Sequence, residues 1–129
     1  MRLHALPYFL EFESVWQELD VSENFIVTLP AHGLSSVRVR RLRLSRNAVR
    51  RVSVTAFSGL AVVTVLDLSH NQISHLAPGV FAPLANLRTL TLCYNRLADV
   101  GPQVFHALSH LYDLDLQVSV AQNTVFLSF

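Results

Sequence analysis

Four asparagines, Asn24, Asn47, Asn71 and Asn95, each close a copy of one pattern, and that repetition constrains the fold of this 129-residue chain more than anything else in it. The copies read WQELDVSENFIVTL (16–29), VRRLRLSRNAVRRV (39–52), VTVLDLSHNQISHL (63–76) and LRTLTLCYNRLADV (87–100). Within each copy the first, fourth and sixth residues are apolar, the ninth is Asn, and the eleventh and fourteenth are apolar again. The steps between asparagines are 23, 24 and 24 residues. A fixed period in this range, in an L-x-x-L-x-L-x-x-N-x-L frame, predicts a stacked solenoid.

Each copy begins with a short alternating segment such as Val65-Leu66-Asp67-Leu68-Ser69, the pattern of a half-buried strand. The same strand returns after a long crossover, so successive strands run parallel, about 4.8 Å apart. Leu42/Leu44, Leu66/Leu68, Leu90/Leu92 and Leu114/Leu116 then face the core. The Asn falls where the chain leaves the strand, at a bend whose backbone groups must still find partners. An amide both donates and accepts, so it can tie its own turn to the next one, whereas a carboxylate could only accept and would be costly to bury. The return halves carry Phe57, Phe81 and Phe105, each followed three residues later by Leu60, Leu84 or Leu108, and these rings are expected to form a second apolar spine.

The frame resembles the leucine-rich repeat family, and its 24-residue copies with Phe in the return half are similar to the "typical" subclass. The stretch LAPGVFAPLANLRTLTLCYNRL (76–97) is especially close. The resemblance implies an α/β solenoid with a curved parallel β-sheet on its concave face and irregular or short helical returns on its convex face. The expected repeats are 16–38, 39–62, 63–86 and 87–110, with a partial copy at 111–117. A degenerate flank or partial repeat over 1–15 precedes them, and an atypical, uncapped tail over 118–129 follows, with Ser119 at the ladder position. A solenoid end without a polar cap exposes its core, so the expectation is a fragment of a longer array. The subclass is found in Toll-like receptor, Slit-like and adhesion-protein ectodomains. The resemblance therefore implies an extracellular or cell-surface recognition module, part of a receptor or adhesion protein with a signalling role.

Composition fits a packed chain, 51% hydrophobic and 15% charged. No apolar run reaches the ~18 residues that a membrane span requires, and the first ten residues make a poor signal peptide. Cys93 is the only cysteine, which excludes an internal disulfide. Net charge is +1, but seven of the ten arginines lie between Arg38 and Arg51, and five of the nine acids lie between Glu11 and Glu23.

Outward positions of the strands form three rows: Glu18, Arg41, Val65, Thr89, Asp113; Asp20, Arg43, Asp67, Thr91, Asp115; and Ser22, Ser45, Ser69, Cys93, Gln117. Curved solenoids commonly bind partners on such a surface. Glu18 beside Arg41, and Arg43 between Asp20 and Asp67, can neutralise one another. Thr89, Thr91, Tyr94, Asp113 and Asp115 have no evident internal partners. The candidate partner-binding residues are therefore Arg41, Arg43, Asp67, Thr89, Thr91, Tyr94, Asp113 and Asp115, with Asn24, Asn47, Asn71 and Asn95 structural.

Other chemistries find less support. The arginine run could attract a sulfated polyanion on charge alone. It carries no interleaved aromatics on which bases could stack, which argues against nucleic acid. Cys93 with His70 nearby lacks an orienting residue and an oxyanion site. His106 and His110 lack an acidic or thiol companion that would complete a metal site. The sequence thus predicts no catalytic residues, metal or cofactor, and a protein ligand or co-receptor bound on the concave sheet. An intracellular scaffold on the same repeats, or a truncated fragment without independent function, is the alternative.

Overall fold

The computed structural model describes residues 15–98 and 100–117. The tail expected over 118–129, with Ser119, lies outside the described residues, as does the flank expected over 1–15 save for Val15.

Among the described residues seven short strands follow one another: β1 (Trp16–Asp20), β2 (Thr28–Leu29), β3 (Val39–Arg43), β4 (Arg51–Val52), β5 (Val65–Asp67), β6 (Thr89–Thr91) and β7 (Asp113–Asp115). Five of them form one sheet in the order β1-β3-β5-β6-β7, and every pairing is parallel. Residues at the same place in the repeat face one another, as in the series Leu19, Leu42, Leu66, Leu90 and Leu114. This is the register that the period demands. Any slip by one residue would turn the leucines out to solvent. A second parallel pair, β2 with β4, forms where the chain descends from the sheet in the first two copies. The returns consist of turns and, among the described residues, a single 3-10 helix at Pro102–Val104. The chain thus forms a leucine-rich repeat solenoid with irregular returns.

Leu42, Leu44, Leu66, Leu68, Leu90 and Leu92 are fully buried, while Leu114 and Leu116 in the last described copy are half-buried. Each fully buried leucine contributes about 1.5–3 kcal/mol of transfer free energy. On the opposite side of the core Phe57, Phe81 and Phe105 stack in file, with centroids 5.6 and 5.9 Å apart and ring planes within 21° and 8°. The apolar spine expected from their spacing is therefore present. Leu34, the first copy's substitute for Phe, is also buried. Successive returns pack tightly: a Cβ on Gly59, whose φ is +87°, would lie 2.8 Å from the Ser35 carbonyl oxygen.

The asparagines join the copies, but they reach back to the preceding turn rather than forward. Asn71 Nδ2 donates to the carbonyls of Leu68 and Ser69 in its own copy and of Leu44 in the copy before, at 3.0, 3.1 and 3.0 Å. Its Oδ1 accepts the Val49 N–H at 3.1 Å. Asn47 and Asn95 repeat both contacts, accepting from Ile26 and Ile73 and donating back to Val21 and Leu68. The direction follows from the bend. The Leu44 carbonyl and Val49 N–H flank the preceding turn and lie outside the strand pairing, so the amide supplies what the ladder cannot. Asn24 donates within its own copy to Val21 and Ser22.

Immediately before each of these asparagines the backbone is left-handed. Glu23, Arg46, His70 and Tyr94 have φ of 57°, 56°, 55° and 58°. None is glycine, and the conformation costs an L-residue roughly 1–2 kcal/mol. Each of the four N–H groups donates to the carbonyl of Ser45, Ser69, Cys93 or Gln117 in the following copy. These hydrogen bonds help to hold the bend.

Candidate functional site

Alternation along the strands turns one set of side chains to solvent. The register aligns Glu18, Arg41, Val65, Thr89 and Asp113, and beside them Asp20, Arg43, Asp67, Thr91 and Asp115. Arg41, Arg43, Asp67, Thr89, Thr91, Asp113 and Asp115 therefore share one face, as their spacing implies. Tyr94 lies just past the end of β6, projected by its left-handed backbone.

The charge pairing differs from the sequence expectation. Glu18 engages Arg43 rather than Arg41, through Arg43 Nε, and Arg43 Nη1 lies 3.7 Å from Asp67 Oδ2. Strand register fixes which Cα atoms are opposite, but the long arginine stem reaches a diagonal neighbour just as readily. Arg43 and Glu18 side chains remain 42% and 39% exposed, so their pair contributes at most about 1 kcal/mol. The Glu18 hydrogen bond raises the Arg43 pKa further. Arg41 makes no ion pair among the described residues.

Asp20 does not join this pairing directly, because its Oδ1 accepts the Ser22 N–H at 2.9 Å. Asp67 Oδ1 likewise accepts from Ser69 N at 3.0 Å and Ser69 Oγ at 2.7 Å, and Asp115 Oδ1 from Gln117 N at 3.0 Å. These are Asx turns, in which a carboxylate takes the N–H two residues on. The D-x-S and D-x-Q spacing was the signal for them. The Ser22 hydroxyl and N–H hold the Asp20 carboxyl below its usual range, with burial opposing and Arg43 assisting. Asp20, Ser22, Glu23, Arg43, Ser45 and Arg46 line a shallow depression of about 520 Å³ at this end of the face.

The other end is open. Thr89, Thr91 and Asp113 make no side-chain hydrogen bond among the described residues. Asp115 and Tyr94, expected to be without partners, both have one: Asp115 caps Gln117, and the Tyr94 ring stacks on His70 with centroids 4.4 Å apart and planes within 10°. His70 and Tyr94 occupy equivalent places in adjacent copies, each directly before the repeat asparagine. Cys93 lies between these groups. Its thiol is pushed up first by burial and then by the Asp115 and Asp67 charges, which makes it a weak nucleophile. His106 and His110 are exposed. Among the described residues no cluster of three or more His, Cys, Asp or Glu is placed to hold a metal ion, and no helix is long and apolar enough to cross a membrane. This arrangement is suited to non-covalent recognition through hydrogen bonds, carboxylates and an aromatic pair.

The geometry defines a class, the leucine-rich repeat proteins, and comparison with known proteins agrees. The leucine-rich repeat family model matches residues 37–97. No curated protein matches the chain. Among solved structures 168 chains match, so the fold is too widespread to specify a ligand. One similar structure is that of TLR13 in its complex with ssRNA13, with a TM-score of 0.72 and 29% identity over 78% of this chain. The chain spans 15% of the length of that TLR13 chain. At the level these findings reach, the chain is a leucine-rich repeat interaction module.

Proposed function

We propose that this chain is a non-catalytic protein-recognition module of a cell-surface or secreted receptor or adhesion protein, and that its partner docks on the concave sheet. The observation that carries the proposal is the contrast between the two faces of the five strands. Inward positions repeat the same leucine from copy to copy, while outward positions change at nearly every step. Packing accounts for the uniform face. The varied face presents Arg41, Thr89, Thr91, Asp113 and part of Asp115 to solvent, as a binding surface would. The likeness to TLR13 supports an interaction module, and the receptor or adhesion setting and the extracellular or cell-surface location belong to the proposal. On this reading Arg41, Arg43, Asp67, Thr89, Thr91, Tyr94, Asp113 and Asp115 contact the partner.

A second reading comes from the same neighbour, whose structure is a complex with single-stranded RNA. Three carboxylates on the open half of the face, Asp67, Asp113 and Asp115, would repel phosphates there. A protein partner is therefore preferred. Applied to intact cells, the tagged chain is expected to bind saturably to a protease-sensitive component. Thr91→Arg, which places a long cation at the centre of the face, should weaken binding about tenfold or more. Binding insensitive to surface proteolysis, or indifferent to Thr91→Arg, would reject the reading.

A further inference from the structure

We propose that the His70–Tyr94 stack and the adjoining Asp67 and Asp115 carboxylates form a subsite for an arginine side chain of the protein partner. The inference rests on the concave-face reading above and gives that partner a chemistry.

Three features at this place converge. The first is the aromatic pair. Its rings are nearly parallel at 4.4 Å, and Tyr94 remains 47% exposed at the margin of the sheet. Both backbones are fixed, since the His70 and Tyr94 N–H groups are bonded to the Cys93 and Gln117 carbonyls at 2.9 and 3.1 Å. A rigid, wetted aromatic surface costs little entropy to dock against.

The second is the sign of the charge. From the third copy onward the outward rows contain Asp67, Asp113 and Asp115 and no arginine, and among the described residues the one ion pair these carboxylates make is that of Asp67 with Arg43, at 3.7 Å. Arg88 stands at the upstream edge of β6, outside these rows, and Arg96 follows Asn95 beyond the bend. In the first two copies, by contrast, Glu18, Asp20 and Glu23 face Arg41, Arg43 and Arg46. The open half is the anionic one, and Cys93 follows Thr91, which pairs with both Asp67 and Asp115 in the register.

The third is free hydrogen-bonding capacity. Asp115 uses one oxygen on Gln117 and has its other without a bond among the described residues, and the Thr89 and Thr91 hydroxyls are similarly available. A guanidinium offers a planar fork of donors and a face that stacks on tyrosine, whereas an ammonium is a strongly hydrated point charge. Aromatic surface beside carboxylate therefore favours arginine over lysine. A nucleobase could also stack on Tyr94, but its phosphates would lie over three carboxylates.

The test uses the full chain with three labelled probes: a short arginine peptide, a lysine peptide of equal charge and a single-stranded oligonucleotide. Affinity is read by fluorescence anisotropy, and occupancy by protection of Cys93, the only thiol, from alkylation. The arginine peptide is expected to bind several-fold more tightly than the lysine peptide and to slow Cys93 alkylation. Tyr94→Ala and Asp115→Asn should each weaken it about fivefold or more, while Tyr94→Phe, which keeps the ring, should retain it. Equal affinity for both peptides, arginine binding indifferent to Tyr94→Ala, or oligonucleotide binding that depends on Tyr94 would each overturn the proposal. In the cell-binding assay, a partner that is sensitive to Thr91→Arg but not to Tyr94→Ala keeps the sheet as docking face and rejects this subsite. Indifference to both rejects the sheet itself.

Discussion

Asn71 Nδ2 donates to the Leu44 carbonyl, 27 residues upstream, at 3.0 Å. That bond crosses from one copy to the one before, and the same amide also holds the Val49 N–H. The fold is therefore linked by side chain as well as by strand pairing. Because copies touch only their neighbours, stability should behave as a sum of adjacent couplings.

Replacing Asn71 by Ala leaves the Val49 N–H without its acceptor, while the Leu44 carbonyl keeps the hydrogen bond from Asn47 Nδ2 at 3.0 Å. At about 1–3 kcal/mol for a buried group left unsatisfied, a loss of roughly 2 kcal/mol is expected in urea denaturation. Asn24→Ala should cost less, since Asn24 is only half-buried. Equal losses at the two positions would show that burial does not set the value of the ladder.

The phenylalanine file makes a sharper demand on the core. Phe81 stacks on both Phe57 and Phe105, so Phe81→Ala is expected to cost about 3–5 kcal/mol. A double-mutant cycle between positions 57 and 81 should show coupling, and one between 57 and 105 should show little.

Arg46 carries backbone strain that glycine would relieve. With φ at 56°, Arg46→Gly should be near neutral, because relief of roughly 1 kcal/mol offsets the extra freedom of glycine in the unfolded chain. Arg46→Val, β-branched in a left-handed position, should destabilise by more than 1 kcal/mol. Thermal melts of the two variants that moved together would contradict the assignment.

The Asp20 carboxyl is held low by Ser22, which fixes the sign of its pH effect. A folded value below the unfolded value of about 3.9 means the contribution is present above that value and is lost as pH falls through the folded value. Asp20→Ala should therefore lose stability at neutral pH, and its deficit relative to the parent chain should shrink in acid melts below about pH 4. A deficit that widens in acid would reverse the argument.

How much of this was legible in the sequence depends on the range of the interaction. Period and alternation fixed the Leu19-to-Leu114 file, the Phe57–Phe81–Phe105 spine and the membership of the outward rows, because these follow from backbone geometry alone. The Glu18–Arg43 contact was missed because a flexible arginine chooses among several neighbours that the register leaves equally near. The β2–β4 pair was missed because two-residue strands carry no period. The Asp20, Asp67 and Asp115 turns are legible in the local D-x-S and D-x-Q spacing, where a carboxylate has a choice between its own backbone and a charge on the next strand. The repeat puts His70 and Tyr94 at the same place in adjacent copies, yet only ring orientation reveals the stack.

The central claim, that the varied face of the sheet is where a partner docks, is tested most directly by site-specific photo-crosslinking on intact cells. A crosslinker at Thr91, on the sheet, and another at Ala107, exposed on the returns, would be compared at equal occupancy. The account predicts a discrete protein adduct from position 91 that is absent from position 107. An adduct from 107 alone would contradict it.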